Sequence, residues 1–144
     1  MKNTVAQPSP LRQVFETVLY SDDLVASHDF YGKALGLELL SENELMLVFR
    51  CGSQYLLIFN PKKSCAQGRL VPSHGMEGEG HIAFPTPEGE YQLWKDRLRS
   101  LGVPIESEVE WDDGERGRSL YVRDPSGNSV EFAPIQLWSH LHKS

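Results

Sequence analysis

The stretch Val14–Gly36, VFETVLYSDDLVASHDFYGKALG, reads as a strand feeding directly into a helix. Side chains alternate between faces along a strand, so Val14, Glu16, Val18 and Tyr20 share one face while Phe15, Thr17 and Leu19 share the other. The helix takes Asp22 or Asp23 as its cap, presents Leu24, His28, Tyr31 and Leu35 on one side, and ends at Gly36. Three short strands follow, LELLS, ELMLVFR and QYLLIFN, the last two joined by a turn around Cys51, Gly52 and Ser53. The unit is βαβββ. Glu16 is its anomaly, a carboxylate in apolar company that is costly to bury unless it is paired, hydrogen-bonded or bound to a metal.

The same order recurs downstream. GHIAFPT reads as a strand, and PEGEYQLWKDRLRSLG as a helix with Thr86 as cap, Pro87 in the first turn and Gly102 as terminator. Tyr91, Trp94, Leu98 and Leu101 fall at helical spacing. VPIESEVEW, RGRSLYVRD and NSVEFAP are three further strands, the last two joined by the turn signal DPSGN. Gly102 lies 66 residues after Gly36 and His81 lies 65 after Glu16, so Glu16 and His81 hold nearly equivalent places in two copies of one motif. Aligning Gly127 with Gly52, 75 residues apart, sets Glu131 against Leu56. The reading predicts an α+β fold of two tandem βαβββ modules in one domain: module one 14–60, a Pro- and Gly-rich connection 61–79, module two 80–134. A flexible arm 1–13 precedes it, and a tail or short helix 135–144 that covers a sheet edge follows.

Composition narrows the function. A chain of 144 residues with 40% hydrophobic and 24% charged residues suits one globular domain with a real core. The formal net charge of −6, without a Lys or Arg cluster, disfavours nucleic acid and anionic membrane as partners. No apolar run reaches a membrane span, and the N-terminus lacks the apolar core of a secretory signal, which predicts a cytoplasmic protein. Cys51 and Cys65 are too few for a disulfide framework or a thiolate zinc site and read as reduced, ordinary small residues.

Glu16, His81 and Glu131 stand in otherwise apolar strands. Carboxylate oxygen and imidazole nitrogen suit a divalent cation such as Mn, Fe, Ni, Co or Zn, and three protein ligands leave positions open for water or substrate. Taken singly, His81 reads equally well as a hydrogen-bonded structural histidine, and the glutamates as salt-bridged or solvated edge residues. The internal symmetry is what groups them.

The segments ETVLYSDDLVASHDFYGKALGLE, GHIAF and LYVRDPSGNSVEF, in that order from about Phe15 to Pro134, resemble the vicinal oxygen chelate superfamily. That superfamily includes glyoxalase I, fosfomycin-resistance proteins, extradiol dioxygenases, methylmalonyl-CoA epimerase and bleomycin-resistance proteins. The resemblance implies paired modules whose curved mixed sheets form a metal-binding cleft, with Glu16, His81 and Glu131 at the ligand positions. Glu16 departs from the usual His or Gln, which argues against an iron extradiol dioxygenase. Leu56 at the fourth ligand position argues against orthodox glyoxalase I chemistry.

The reaction class implied is a metal-dependent lyase, isomerase or dioxygenase step on a small oxygenated molecule held through adjacent oxygens, with Lewis-acid stabilisation of an enolate or other oxyanion. Glu16 and Glu131 are the catalytic candidates, Glu16 the better one to detach and move a proton. Four residues are candidate substrate contacts. His74 sits in the loop before His81, Arg118 carries a guanidinium fork suited to an anionic group, and Tyr121 and Phe59 could line the pocket. The competing class is a bleomycin-resistance-like protein that sequesters a small molecule without chemistry, but such a module has no need of a Glu, His, Glu set. The resemblance implies a cleft completed between subunits, and exposed edge strands suit self-association, so a homodimer is expected in which Glu16 of one chain meets His81 and Glu131 of the other, with an intrachain site as the alternative. His140 and His142 read as surface residues.

Overall fold

The structure is a computed structural model, and residues 6–142 are described. Two four-stranded mixed sheets carry the chain. In the first, β1 (Glu16–Tyr20) runs parallel to β4 (Gln54–Phe59), which pairs antiparallel with β3 (Met46–Cys51), and β3 in turn with β2 (Glu38–Glu42). In the second, β5 (His81–Thr86) runs parallel to β8 (Ser129–Pro134), followed outward by β7 (Arg118–Arg123) and β6 (Ser107–Glu110). The orders β1-β4-β3-β2 and β5-β8-β7-β6 are the same topology twice, as the two βαβββ units predict.

The helices follow from local chemistry, with two departures from expectation. Asp23 caps α1 (Leu24–His28), its carboxylate accepting from Ala26 N at 3.0 Å. The segment then loosens into a π-helical turn, Asp29–Ala34, closed by Leu35 N donating to Phe30 O. The wider turn lets adjacent Phe30 and Tyr31 both enter the core. A four-residue helix, α2 (Pro61–Ser64), interrupts the connection and is capped by Asn60. Thr86 is not the cap of the second long helix: its hydroxyl donates to Phe84 O, a 3-10 turn at Glu88–Glu90 intervenes, and α3 spans Tyr91–Ser100.

Both sheets and both longer helices share one core, which includes Leu19, Tyr31, Phe49, Ile58, Leu98, Leu120, Val122 and Phe132. Burying side chains of this size, at roughly 1.5–3 kcal/mol each, is the main force joining the modules. A polar bridge fixes their angle. Asp124 accepts from Tyr31 Oη at 2.7 Å and from Asn128 Nδ2 at 2.8 Å, while Asn128 also donates to Tyr20 O and accepts from Gly80 N. The DPSGN turn is therefore a structural bolt. The tail forms a 3-10 turn, Ser139–Leu141, that leaves Trp138 and Leu141 mostly exposed while Leu137 before it is buried. Of the expected arm, residues 6–13 are exposed and carry no helix or strand; residues 1–5, and 143–144 of the tail, lie outside the described residues.

Candidate metal centre

Glu131 stands in the middle of β8, with Ala83 of β5 on one side and Tyr121 of β7 on the other. Strand alternation puts His81, Ala83, Ser119, Tyr121, Ser129 and Glu131 on one face, away from the Leu120, Val122, Val130 and Phe132 core. The Glu131 side chain is 7% exposed and that of His81 52%. Glu131 Oε2 accepts from Ser119 Oγ at 2.6 Å, and Oε1 faces His81 Nε2 at 3.3 Å. His81 Nδ1 lies 3.1 Å from the Ser129 carbonyl oxygen, which only accepts, so Nδ1 donates, and the neutral tautomer consistent with that bond has its lone pair on Nε2.

That leaves two acceptors converging, the Nε2 lone pair and Oε1. A buried carboxylate whose partners among the described residues are the Ser119 and Tyr121 hydroxyls and one half-exposed imidazole lacks a fixed positive charge. A divalent cation between the two atoms supplies it, and the N, O donor pair suits the metals expected. Tyr121 stacks beside His81, ring centroids 6.5 Å apart. Burial, and then the charge of Glu131, push its phenol pKa up.

The other expected residues divide. Glu16 begins β1 and is exposed, and Val14 and Phe15 beside it are 56% and 65% exposed, so in the single chain Glu16 is not the buried carboxylate its neighbours suggest. Among the described residues no group of three His, Cys, Asp or Glu side chains is placed to hold a metal ion; His81 and Glu131 come together and Glu16 stands apart. His74 is no free loop residue: its Nδ1 shares a 2.7 Å hydrogen bond with Tyr20 Oη, and its ring meets Phe59 edge-on at 4.6 Å. Tyr20 and Phe59 are register partners on the Glu16 face of the first sheet. Arg118 does not join the site. It lies on the opposite face of β7 from Tyr121, bound to Glu88 at 2.7 Å and stacked over Tyr91 at 4.0 Å. Ser119 was not anticipated, nor Trp111, whose indole Nε1 donates to Ser119 Oγ at 2.8 Å.

Register corrects one equivalence. Glu16 pairs with Tyr55 and His81 with Ser129, so two residues further on Leu57, not Leu56, answers to Glu131. The first hairpin turns through two residues, Gly52 and Ser53, and the second through three, Pro125 to Gly127, so the two glycines are not equivalent. The fourth position remains apolar.

A family model, the Glyoxalase/Bleomycin resistance protein/Dioxygenase superfamily, matches residues 13–132. The chain belongs to that superfamily. Its fold is similar to a superfamily relative described as lactoylglutathione lyase from Agrobacterium tumefaciens, with 38% identity over 90% of this chain and 98% of that one at a TM-score of 0.84. Metallothiol transferase FosB of Staphylococcus haemolyticus is 26% identical over 125 residues, 86% of this chain and 85% of the relative. The fosfomycin resistance protein FosX of Listeria monocytogenes, solved with Mn(II) and sulfate, shares the fold at 21% identity and a TM-score of 0.65 over 91% of this chain and 98% of that one. No helix among the described residues is long and apolar enough to cross a membrane.

Proposed function

We propose that this superfamily member is a divalent-metal-dependent enzyme that acts on a small oxygenated molecule as a lyase or isomerase. The observation that carries the reading is the convergence of His81 Nε2 and buried Glu131 Oε1 at 3.3 Å with no fixed positive charge between them. When bound, the cation supplies Lewis acidity toward two adjacent substrate oxygens. His81 and Glu131 hold it, with Ser129 O fixing the imidazole tautomer and Ser119 fixing the carboxylate. Glu16 is the third ligand, and the more exposed of the two carboxylates, so it is the one free to swing and carry a proton between substrate atoms. Glu16 and its exposed neighbours Val14 and Phe15 form the kind of surface a second subunit covers, which favours a homodimer that completes the site. Tyr121 lines the metal side, while His74 and Phe59 line the Glu16 side. Likeness to a protein named lactoylglutathione lyase makes lactoylglutathione a first substrate to test, and likeness to a metallothiol transferase makes thiol addition a second. Two unpaired thiols, Cys51 and Cys65, suit a reducing compartment such as the cytoplasm.

Metal analysis of the purified protein, before and after reconstitution, tests the reading. About one divalent ion per chain is expected, lost in His81→Ala, Glu131→Ala and Glu16→Ala. Glu16→Gln, which keeps a donor oxygen, should retain metal and lose turnover. A wild-type protein that takes up no stoichiometric metal would leave a sequestering module as the better account.

A further inference from the structure

We propose that Ser119 and Trp111 are positioning residues that reserve one oxygen of Glu131 for the cation; the inference rests on the metal-dependent reading above. An indole N–H donates and never accepts, so Ser119 Oγ must accept from Trp111 at 2.8 Å. The single hydroxyl proton of Ser119, which is fully buried, goes to Glu131 Oε2 at 2.6 Å, an oxygen that only accepts, while the Trp111 bond fixes where Oγ sits. With Oε2 committed, the carboxylate cannot turn both oxygens inward. Only Oε1 faces His81. Trp111 thus holds Ser119 Oγ in place, Ser119 donates to Oε2, and Glu131 is held as a one-oxygen ligand.

The β6–β7 hairpin is built to hold that indole. Trp111 N donates to Gly117 O at 3.0 Å, and the Arg116 guanidinium lies 5.7 Å over the Trp111 ring while its Nε binds Asp112 at 2.6 Å. Asp112 and Asp113 sit at φ 50° and 51°, two successive non-glycine residues in left-handed backbone. Asp adopts that conformation more readily than most residues, yet two in a row still cost free energy that the surrounding contacts must offset. This hairpin is also where the second module departs in length from the first.

Mn(II) affinity of the full-length protein, read from the electron paramagnetic resonance signal of free Mn(II), tests the relay without reference to turnover. Ser119→Ala should weaken binding by roughly 10- to 100-fold, the range for lost support of a metal ligand. Ser119→Thr keeps the hydroxyl and should restore most of it. Trp111→Phe should weaken binding less than Ser119→Ala does, and should weaken it no further when Ser119 is already Ala. Wild-type affinity in Ser119→Ala overturns the proposal and leaves the metal site standing. Equal losses from Trp111→Phe in both backgrounds overturn the relay, because Trp111 then acts on the fold and not through Ser119. A wild-type protein that binds no Mn(II) or other divalent ion removes the metal reading itself, and this inference with it.

Discussion

Glu131 and Tyr31 are both polar groups placed in the protein interior, and each is held by short, well-aimed hydrogen bonds. Tyr31 is fully buried and donates to Asp124 at 2.7 Å; burial, followed by the Asp124 charge, pushes its phenol far above the usual range. The unfolded tyrosine ionises near pH ~10, whereas the folded one keeps its proton. Its contribution is therefore complete below about pH 10 and is lost as pH rises toward the folded value, at about 1.4 kcal/mol per pH unit. Tyr31→Phe should cost about 1–3 kcal/mol at neutral pH, because the Asp124 oxygen that Tyr31 served is left with the Asn128 amide alone. That deficit should narrow in denaturant titrations above about pH 10, where the wild type alone pays for keeping this phenol protonated. A deficit that stays constant into alkali would show that the hydroxyl is not held as described.

Among the elements, the β6–β7 hairpin offers a controlled comparison. A Cβ on Gly117, at φ +88°, would lie 2.6 Å from Pro134 Cβ and 2.9 Å from Gln136 Nε2, whereas one on Gly114, at φ +91°, meets nothing. Gly114→Ala should cost only the backbone strain, roughly 1–2 kcal/mol. Gly117→Ala adds a steric clash and should lower the thermal midpoint further; because Gly117 O anchors Trp111 N, it should also weaken Mn(II) binding. Equal midpoints for the two variants would contradict the packing at Pro134. Element order was legible in the sequence because helices ended by Gly36 and Gly102 and strands of alternating pattern repeat at a nearly constant interval. Register was less so. Gly52 and Gly127 occupy different places in turns of unequal length, which shifted the counterpart of Glu131 from Leu57 to Leu56. Ser119 stands two residues before Tyr121, which suffices to put it on the same face of the strand but not to pair it with Glu131 across the sheet. Arg118 was misplaced for the same reason, since its charge was visible and its face was not. Glu16 looked buried because Val14 and Phe15 flank it, yet both are outside β1 and face solvent in the single chain.

At the scale of the whole molecule, a single chain brings together His81 and Glu131 but leaves Glu16 elsewhere, among exposed apolar neighbours. If two chains complete each other's sites, each site takes Glu16 from one subunit and His81 and Glu131 from the other. A Glu16→Ala homodimer and a His81→Ala homodimer then both lack a complete site. In a heterodimer of the two, one site combines both defects, while the other takes Glu16 from the His81→Ala chain and His81 from the Glu16→Ala chain and is intact. Random reassembly of equal amounts makes about half the dimers mixed, so metal capacity and activity should return to about a quarter of wild type, by the two-fold symmetry of such a dimer. A site built within one chain gives no intact copy in any of these dimers, whatever their proportions. Mixing the two variants after mild dissociation, with metal content read against each variant alone, decides the point; no recovery in verified heterodimers would overturn the shared site and leave His81 and Glu131 to find their third ligand within the chain.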